Sequence, residues 1–145
     1  MVRRVFLIVS LVSVLAFSFS FSFKGGAFKN IDAREAYRLQ QKGAVLIDVR
    51  TKKEFERGHA KGAVHIPIYE EKHGKAEFNK DFVAQVEYLV KDDYEKPIVL
   101  ICRSGHRSAT AAELLSKNGF SEVYNVLHGF LTPGGWLYYK LPAER

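Results

Sequence analysis

The stretch Ile98-Val-Leu-Ile-Cys-Arg-Ser-Gly-His-Arg-Ser108 carries the most specific structural signal in this sequence. Its first four residues are apolar and follow Pro97, which predicts a strand buried on both faces, as in a parallel sheet. A polar loop of six residues, 102–107, comes next, and apolar residues at helical spacing then run from Ser108 to Asn118. A buried strand, a short loop and a helix together form the repeating unit of α/β folds.

The chain on either side repeats this alternation. Buried strands are predicted at residues 44–49, 62–66 and 123–127, and an amphipathic helix is predicted at residues 78–91. Two capping-box patterns, at residues 32–35 and 51–54, begin helices that end at Gly43 and Gly58. The sequence therefore predicts an α/β fold: a small parallel sheet flanked by helices on both faces.

Composition sets the outer limits. The 145 residues are 47% hydrophobic and 26% charged, which is ordinary for one folded domain. A single Cys excludes an internal disulfide framework and an all-cysteine metal site. The formal net charge of +6 favours anionic small molecules, and no Lys/Arg run typical of a nucleic-acid interface occurs, so no nucleic-acid partner is predicted.

The first 24 residues are set apart from the rest. Arg3 and Arg4 form a basic start, and the 5–23 segment that follows is apolar with interspersed serines. This pattern predicts a signal peptide, and its length also allows an N-terminal membrane anchor. The domain at residues 25–145 is therefore expected to be exported and to work in the periplasm or elsewhere outside the cytoplasm. A lone cysteine is compatible with such an oxidising compartment, because it has no partner for an internal disulfide.

The lone cysteine lies where ligands of parallel sheets bind, beyond the carboxyl end of a strand. Gly105 permits a sharp bend that turns backbone N–H groups toward the Cys102 sulfur. The start of the next helix adds partial positive charge, and Arg103, His106 and Arg107 add donors or cations. These features favour the thiolate of Cys102 as a nucleophile over an inert core cysteine.

Four ordered motifs resemble those of the rhodanese (sulfurtransferase) domain family. Residues 102–108 resemble its active-site loop, Ile47-Asp-Val-Arg50 with Glu54-Phe55 resembles its first signature, and Gly58-His-Ala-Lys-Gly-Ala-Val-His-Ile-Pro67 resembles its second. Val126-Leu-His-Gly-Phe130 with Gly135-Trp136 resembles its C-terminal turn. The resemblance spans residues 28–141, and the small size and the leader are similar to those of single-domain secreted or periplasmic members.

The resemblance implies a reaction. The Cys102 thiolate would take sulfane sulfur from thiosulfate or a similar small anionic donor and hold it as a persulfide. The acceptor would be cyanide, a thiol or a protein thiol. No metal or organic cofactor is implied, and the histidines show no metal-ligand spacing.

The resemblance also implies residue roles. Arg103 would favour thiosulfate as the donor, Arg107 would be a second anion contact, and Ser108 would cap the helix. Asp48 and Arg50 would form a structural ion pair. Backbone N–H groups would come from Ser104, Gly105 and His106.

Two other functions remain open at this point. A cysteine-dependent phosphatase of related fold would have Cys-x₅-Arg, whereas four residues separate Cys102 from Arg107. A binding module of this fold without turnover, or a persulfide carrier or sensor for one protein partner, is the second alternative. The presence of Cys102 counts against a module without chemistry.

Overall fold

The structure, a computed structural model, describes residues 27–145. The predicted signal peptide or anchor, residues 1–24, lies outside the described residues. In the described part of the chain, no helix has both the length and the apolar character needed to cross a membrane.

Short strands and helices alternate along residues 27–145. In chain order they are β1 (Lys29–Ile31), α1 (Ala33–Gln41), β2 (Val45–Asp48), α2 (Lys52–Arg57), β3 (His59–Ala60), β4 (Val64–His65), β5 (Tyr69–Lys72), β6 (Lys75–Phe78), α3 (Phe82–Val90), β7 (Ile98–Ile101), α4 (His106–Lys117), β8 (Val123–Val126) and β9 (Ala143–Glu144).

Five strands form the central sheet in the order β1-β8-β7-β2-β4, and every pair in it is parallel. β7 lies at the centre, and all four of its residues are buried, as its apolar sequence predicts. Asp48 at the end of β2 is in register with Ile101 at the end of β7. The residues that follow these two strands therefore leave the sheet at the same edge.

Helices cover both faces of the sheet, which confirms the predicted fold class. On one face Phe82 and Val86 of α3 and Leu115 of α4 pack against Ile47 and Leu100. On the other face Ala33 and Ala36 of α1 pack with Leu46, Val99 and Trp136. Because side chains of a strand point alternately to opposite faces, each central strand supplies residues to both cores.

Helix α4 begins two residues earlier than predicted. The prediction placed its start at Ser108, but its first residue is His106 and its N-cap is Gly105. Gly105 has φ +97°, a left-handed conformation that glycine adopts without a steric penalty, so the chain enters the helix directly after it. The loop between β7 and α4 is therefore four residues long rather than six.

Helix α3 begins later than predicted, at Phe82 instead of residue 78. Phe78 pairs with Tyr69 in the antiparallel β5–β6 hairpin, whose turn residues His73 and Gly74 both have positive φ. The side-chain Oδ1 of Asn79 then accepts the backbone N–H of Asp81 and forms a turn before the helix. The predicted strand at 62–66 is also shorter, since only Val64 and His65 pair with β2.

The two predicted capping boxes differ. At α2, Thr51 and Glu54 bond each other's backbone N–H groups, so the box is complete. At α1, Asp32 accepts the N–H of Glu35, but the Glu35 carboxylate binds Arg38 instead of reaching back.

Candidate active site

The single cysteine lies one residue beyond the central strand, at the carboxyl edge of the sheet. Cys102 is 1% exposed, and it packs against α4. Sγ accepts the backbone N–H of Gly105 at 3.1 Å and the hydroxyl of Ser108 at 3.2 Å. Two donors on one sulfur stabilise negative charge there, because a hydrogen bond to the charged form favours that form.

The turn at Gly105 admits no side chain. A Cβ added there would lie 2.1 Å from the backbone oxygen of Leu127, which is far inside van der Waals contact. The same glycine is the N-cap of α4, which has no side-chain cap, and the first N–H groups of a helix have no partner inside it. The loop thus ends at the positive end of a 12-residue helix dipole, which favours an anion beside it.

The turn after β8 holds the loop from the other side. The N–H of Phe130 donates to the oxygen of Cys102 at 2.8 Å, and that of Leu131 donates to the oxygen of Arg103 at 3.1 Å. A Cβ on Gly129 would lie 2.5 Å from the Cys102 oxygen, so the two backbones touch. Asn125 in β8 adds a bond from Nδ2 to the oxygen of Gly105 at 3.2 Å. These contacts fix the loop's shape independently of any ligand.

An ion pair ties the first turn of α4 to α2. Both terminal nitrogens of Arg107 donate to the Glu54 carboxylate, each at 2.8 Å. The hydrogen bonds from Arg107 lower the pKa of Glu54 to about 2, against the opposing effect of burial. The same bonds raise the pKa of Arg107 above its usual value. A bidentate pair of this kind is both strong and directional.

This geometry changes the expected role of two residues. Ser108 is not the helix cap: it is the third residue of α4, and its hydroxyl bonds the Cys102 sulfur. The reason is that Gly105 already occupies the cap position. Arg107 was expected to contact the anionic donor, and the structure gives its guanidinium a carboxylate partner, so it tethers the loop to α2.

The remaining predicted residues lie at the rim of the loop. Ser104 Oγ and His106 Nδ1 are 3.2 Å apart, and His106 is exposed. Arg103 is also exposed, and no carboxylate of residues 27–145 pairs with it. It is therefore free to meet an anion from solvent.

A cleft of about 500 Å³ opens beside the loop. Arg103 belongs to both the loop and the cleft, and Phe130, whose N–H supports Cys102, lines it as well. Further lining comes from Arg50, Arg57 and Leu137. A cleft of this size is typical of small-molecule sites.

Asp48 and Arg50 form the predicted structural ion pair. They are 0% and 1% exposed, and Nη2 of Arg50 lies 2.6 Å from the Asp48 carboxylate. Arg50 also donates to the oxygen of Gly58 at 2.8 Å, and its guanidinium lies 4.6 Å from the centre of the Phe130 ring. The pair therefore connects the end of β2 to the turn that holds the Cys102 loop.

Two histidines near the site make structural contacts. His59 and His65 stack on Phe55 and bond backbone oxygens. Trp136 is fully buried, whereas Tyr138 is 63% exposed.

Sequence reasoning missed two residues that shape the site. Glu54 was noted only as part of a capping box and of a motif, yet it binds Arg107 across the fold. Asn125 was not singled out, although a polar residue inside a buried strand usually has a hydrogen-bond role. That polarity was the signal available in the sequence.

A parallel α/β sheet with a hydrogen-bonded cysteine beyond its central strand is the arrangement of a cysteine-dependent enzyme. Residues 32–132 match the sequence profile described as "Rhodanese-like domain". The chain belongs to the rhodanese-like domain family, and it is a sulfurtransferase.

Two of three curated relatives compared with this chain carry that function in their names. The chain is 37% identical over 103 residues to "Thiosulfate sulfurtransferase GlpE" of Pseudomonas savastanoi pv. phaseolicola, covering 71% of this chain and 84% of that protein. It is 31% identical over 118 residues to the protein of the same name from Haemophilus influenzae, covering 81% and 96%. The "Uncharacterized protein YqhL" of Bacillus subtilis is 38% identical over 111 residues, with 77% and 74% covered.

Solved structures show the same fold. Rv0390 of M. tuberculosis superimposes with a TM-score of 0.67 at 27% identity, covering 81% of this chain and 98% of that one. The "Polysulfide-sulfur Transferase Homodimer from Wolinella Succinogenes" superimposes with a TM-score of 0.53 at 26% identity, covering 81% and 78%.

Proposed function

We propose that this protein moves sulfane sulfur from thiosulfate, or a similar anionic donor, through a Cys102 persulfide to a thiol or cyanide. The observation that carries the proposal is the Cys102 sulfur with two hydrogen-bond donors, Gly105 and Ser108, at the start of α4. Relatives named thiosulfate sulfurtransferase support thiosulfate as donor, and the relative named polysulfide-sulfur transferase supports a related one.

In the first step the Cys102 thiolate attacks the outer sulfur of thiosulfate. A new bond forms between Sγ and that sulfur, while the S–S bond of thiosulfate breaks and its electron pair leaves with sulfite. The product is a cysteine persulfide anion of unchanged charge. The Ser108 hydroxyl and the unpaired N–H groups at the start of α4 stabilise negative charge at this position.

In the second step the acceptor takes the outer sulfur. The persulfide anion first takes up a proton from solvent. A thiolate then attacks its outer sulfur, a new S–S bond forms on the acceptor, and the electron pair of the broken bond returns to Sγ as the thiolate. With cyanide the product is thiocyanate. Because each step releases one product, the reaction is a double displacement with ping-pong kinetics.

The decisive experiment is mass spectrometry of the protein after mixing with thiosulfate. The expected result is a gain of one sulfur atom on Cys102 that cyanide removes, and no gain in Cys102→Ser. Substitution of oxygen for sulfur is nearly isosteric, so circular dichroism of the variant should be unchanged. Residual turnover by Cys102→Ser above the uncatalysed rate would refute Cys102 as the nucleophile.

The same experiment separates the alternatives. A protein that acquires no sulfur from any donor but still folds would be a binding module of this fold. A protein that acquires sulfur but releases it only to one protein partner would be a persulfide carrier. Hydrolysis of a phosphate monoester would indicate a cysteine-dependent phosphatase. The spacing of four residues between Cys102 and Arg107 disfavours this alternative.

We also propose that the protein is exported, on the basis of residues 1–24 alone. Arg3 and Arg4 precede an apolar segment of the kind that export machinery recognises. Fractionation of cells should find the protein outside the cytoplasm, in the periplasm of a cell that has one. N-terminal sequencing of that form distinguishes cleavage near residues 18–22 from an intact anchor, and a full-length cytoplasmic protein would refute export.

A further inference from the structure

We propose that Asn125 is a positioning residue for sulfur transfer: through the Gly105 carbonyl, its buried amide orients and strengthens the His106 N–H as a hydrogen-bond donor to the Cys102 persulfide. The inference rests on the proposed function, since the persulfide is the one formed in that reaction. In the described part of the chain Asn125 has no hydrogen bond to the sulfur, and it acts through the backbone of the Cys102 loop.

The polarity of Asn125 is not explained by the packing of the sheet. Asn125 is 2% exposed in β8, and the buried residues Val123 and Val126 of the same strand are apolar. A buried amide lowers the stability of the fold wherever one of its polar atoms has no partner. Within residues 27–145, Oδ1 of Asn125 has none. An apolar side chain at this position would avoid that loss of stability, so the amide is better explained by a role in the adjacent loop.

The orientation of the amide follows from its neighbours. Nδ2 of Asn125 donates to the backbone oxygen of Gly105 at 3.2 Å and to Oδ1 of Asn30 at 2.9 Å. The Gly105 oxygen can only accept a hydrogen bond, so the nitrogen of the amide, and not its oxygen, must face it. Asn30 lies in register with Asn125 on the neighbouring strand β1 and supports the amide from that side.

The Gly105 carbonyl connects this amide to the loop. Its oxygen also accepts the N–H of Ala109 at 3.2 Å, so two donors act on it. The carbonyl and the His106 N–H belong to one planar trans peptide unit, in which the two groups point in opposite directions. A bond that holds the carbonyl toward β8 therefore turns the His106 N–H away from β8, and polarisation of the carbonyl strengthens that N–H as a donor.

The His106 N–H belongs to the helix end that surrounds the Cys102 sulfur. His106 is the first residue of α4, and the first N–H groups of a helix have no partner inside it and point out of its N-terminal end. The residue before it, Gly105, and the residue two positions after it, Ser108, both donate to Sγ. When the outer sulfur of thiosulfate is transferred, negative charge moves from Sγ to the atom beyond it. We therefore expect the His106 N–H to stabilise the persulfide and the transition state that leads to it.

The test compares two asparagines that share one hydrogen bond. Asn125→Leu removes the bond to Gly105 and the bond to Asn30, and the leucine side chain occupies the place of the amide so that water does not replace it. Asn30→Ala is the matched control, because Asn30 is exposed and its side chain, within residues 27–145, bonds only Asn125. Persulfide formation is measured by mass spectrometry in single turnovers of the full chain at a series of thiosulfate concentrations, which gives the saturating rate and the half-saturating concentration.

We expect Asn125→Leu to lower the saturating rate about threefold to tenfold, the effect of one neutral hydrogen bond on the developing charge. The half-saturating concentration of thiosulfate should stay at its wild-type value, because Asn125 does not contact the donor. Asn30→Ala should leave both quantities unchanged, since it keeps the bond from Asn125 to Gly105.

A rise in the half-saturating concentration together with a fall in the rate would show that Asn125 merely keeps the loop folded, and it would overturn the proposal. An equal loss of rate in Asn30→Ala would overturn it as well. Both variants are compared with the wild type by circular dichroism under the conditions of the kinetic measurement.

Asn125→Asp keeps the shape of the side chain and keeps the proposal testable if the leucine variant does not fold. An ionised carboxylate has no hydrogen to donate to the Gly105 oxygen, whereas a protonated carboxyl group has one. The ratio of the saturating rate of this variant to that of the wild type should therefore be lowest at alkaline pH and rise as the pH falls. A ratio that is independent of pH in the folded protein would contradict a role for the donated hydrogen bond.

Failure of the proposed function itself gives a different result. In that case the wild type acquires no sulfur from thiosulfate at any concentration. Transfer of sulfur to Asn125→Leu at the wild-type rate would instead leave the proposed function intact and refute only the role of Asn125.

Discussion

The proposed chemistry of this protein centres on the Cys102 sulfur and its two hydrogen-bond donors. The Ser108 hydroxyl and the Gly105 N–H both point at Sγ, within 3.2 Å. Of these two donors only the hydroxyl can be removed without disturbing the backbone. It therefore offers the cleanest measure of what a single hydrogen bond contributes to sulfur transfer.

Ser108→Ala is expected to slow persulfide formation about tenfold or more, because a hydrogen bond to a charged group is worth about 1.5–3 kcal/mol. The measurement is the single-turnover rate with thiosulfate. The control is Ser116→Ala on the same helix, since the Ser116 hydroxyl is buried and has no hydrogen-bond partner in the described structure. A similar slowing in both variants would show that the effect comes from the helix and not from the bond to sulfur.

Arg103 and Arg107 are predicted to differ in kind. Arg103→Ala should reduce the rate with thiosulfate about tenfold and should have less effect on a neutral polysulfide donor, since it removes a free cation. Arg107→Ala should reduce both rates equally, because its guanidinium is occupied by Glu54 and its loss releases the loop. Steady-state kcat/KM with the two donors checks this, and an unchanged thiosulfate rate in Arg103→Ala would contradict the assignment.

At the scale of elements, the geometry of the site depends on where α4 begins and on the turn after β8, which packs against the Cys102 loop. The turn after β8 approaches the Cys102 loop so closely that neither Gly105 nor Gly129 has room for a Cβ. The β7 strand, α4 and the β8 turn therefore act as one unit. A substitution in any of them is expected to alter the position of the Cys102 sulfur relative to its hydrogen-bond donors.

Gly105→Ala should destabilise the fold and abolish activity, and Gly43→Ala is its matched control. Both glycines have a φ near +100°, but nothing lies within 4 Å of a Cβ at Gly43. The free energy of unfolding of Gly43→Ala should therefore fall by about 1–2 kcal/mol, the cost of a left-handed conformation for alanine. That of Gly105→Ala should fall by about 1–3 kcal/mol more because of overpacking. Urea unfolding measures the free energies, and equal losses in the two variants would contradict the close approach.

At the scale of the whole molecule, one ion pair links parts that are far apart in sequence. Glu54 and Arg107 are 53 residues apart and join α2 to the first turn of α4. The pair is partly buried, with side-chain exposures of 29% for Arg107 and 27% for Glu54. It contributes to global stability and to the shape of the active site at once.

This link predicts a pH dependence. The pKa of Glu54 is about 2 in the folded state, below its ordinary 4.5, so its stabilising effect is fully present above pH 4.5 and is lost as the pH falls toward 2. The difference in free energy of unfolding between the wild type and Glu54→Gln should therefore be constant above about pH 5 and shrink between pH 4.5 and 2. Urea midpoints across this range provide the measurement.

Glu56→Gln is the control for that series, because Glu56 lies on the same helix and its one ion pair within residues 27–145 is with the exposed Lys52. It should alter stability little at any pH, as exposed ion pairs contribute about 0–1 kcal/mol. A Glu54→Gln difference that stayed constant down to pH 2 would show that the carboxylate is not the source of the stabilisation.

The predictability of individual elements follows from the range of the interactions that form them. β2 and β7 were predicted nearly to the residue because each is a short, mostly apolar run buried on both faces. β8 was predicted to within one residue although it contains the polar Asn125. The β5–β6 hairpin was missed, although the His73-Gly74 turn lies at its centre, because Phe78 also fits the helical spacing of α3. The pairing of Phe78 with Tyr69 places Phe78 in strand β6 and not in helix α3.

The amino-acid sequence was enough to predict the fold class and the family, and it marked Cys102 as the candidate nucleophile. Apolar runs, capping residues and the Cys102 motif are local patterns, and each is read within about ten residues. The partners of individual side chains became known only from the folded structure: Glu54 for Arg107, the Cys102 sulfur for Ser108, and residues 137 and 143–145 for the lining of the cleft. The physical reason is that hydrogen bonds and ion pairs act over a few ångströms in space, so their partners become definite only when the sheet has brought distant segments together.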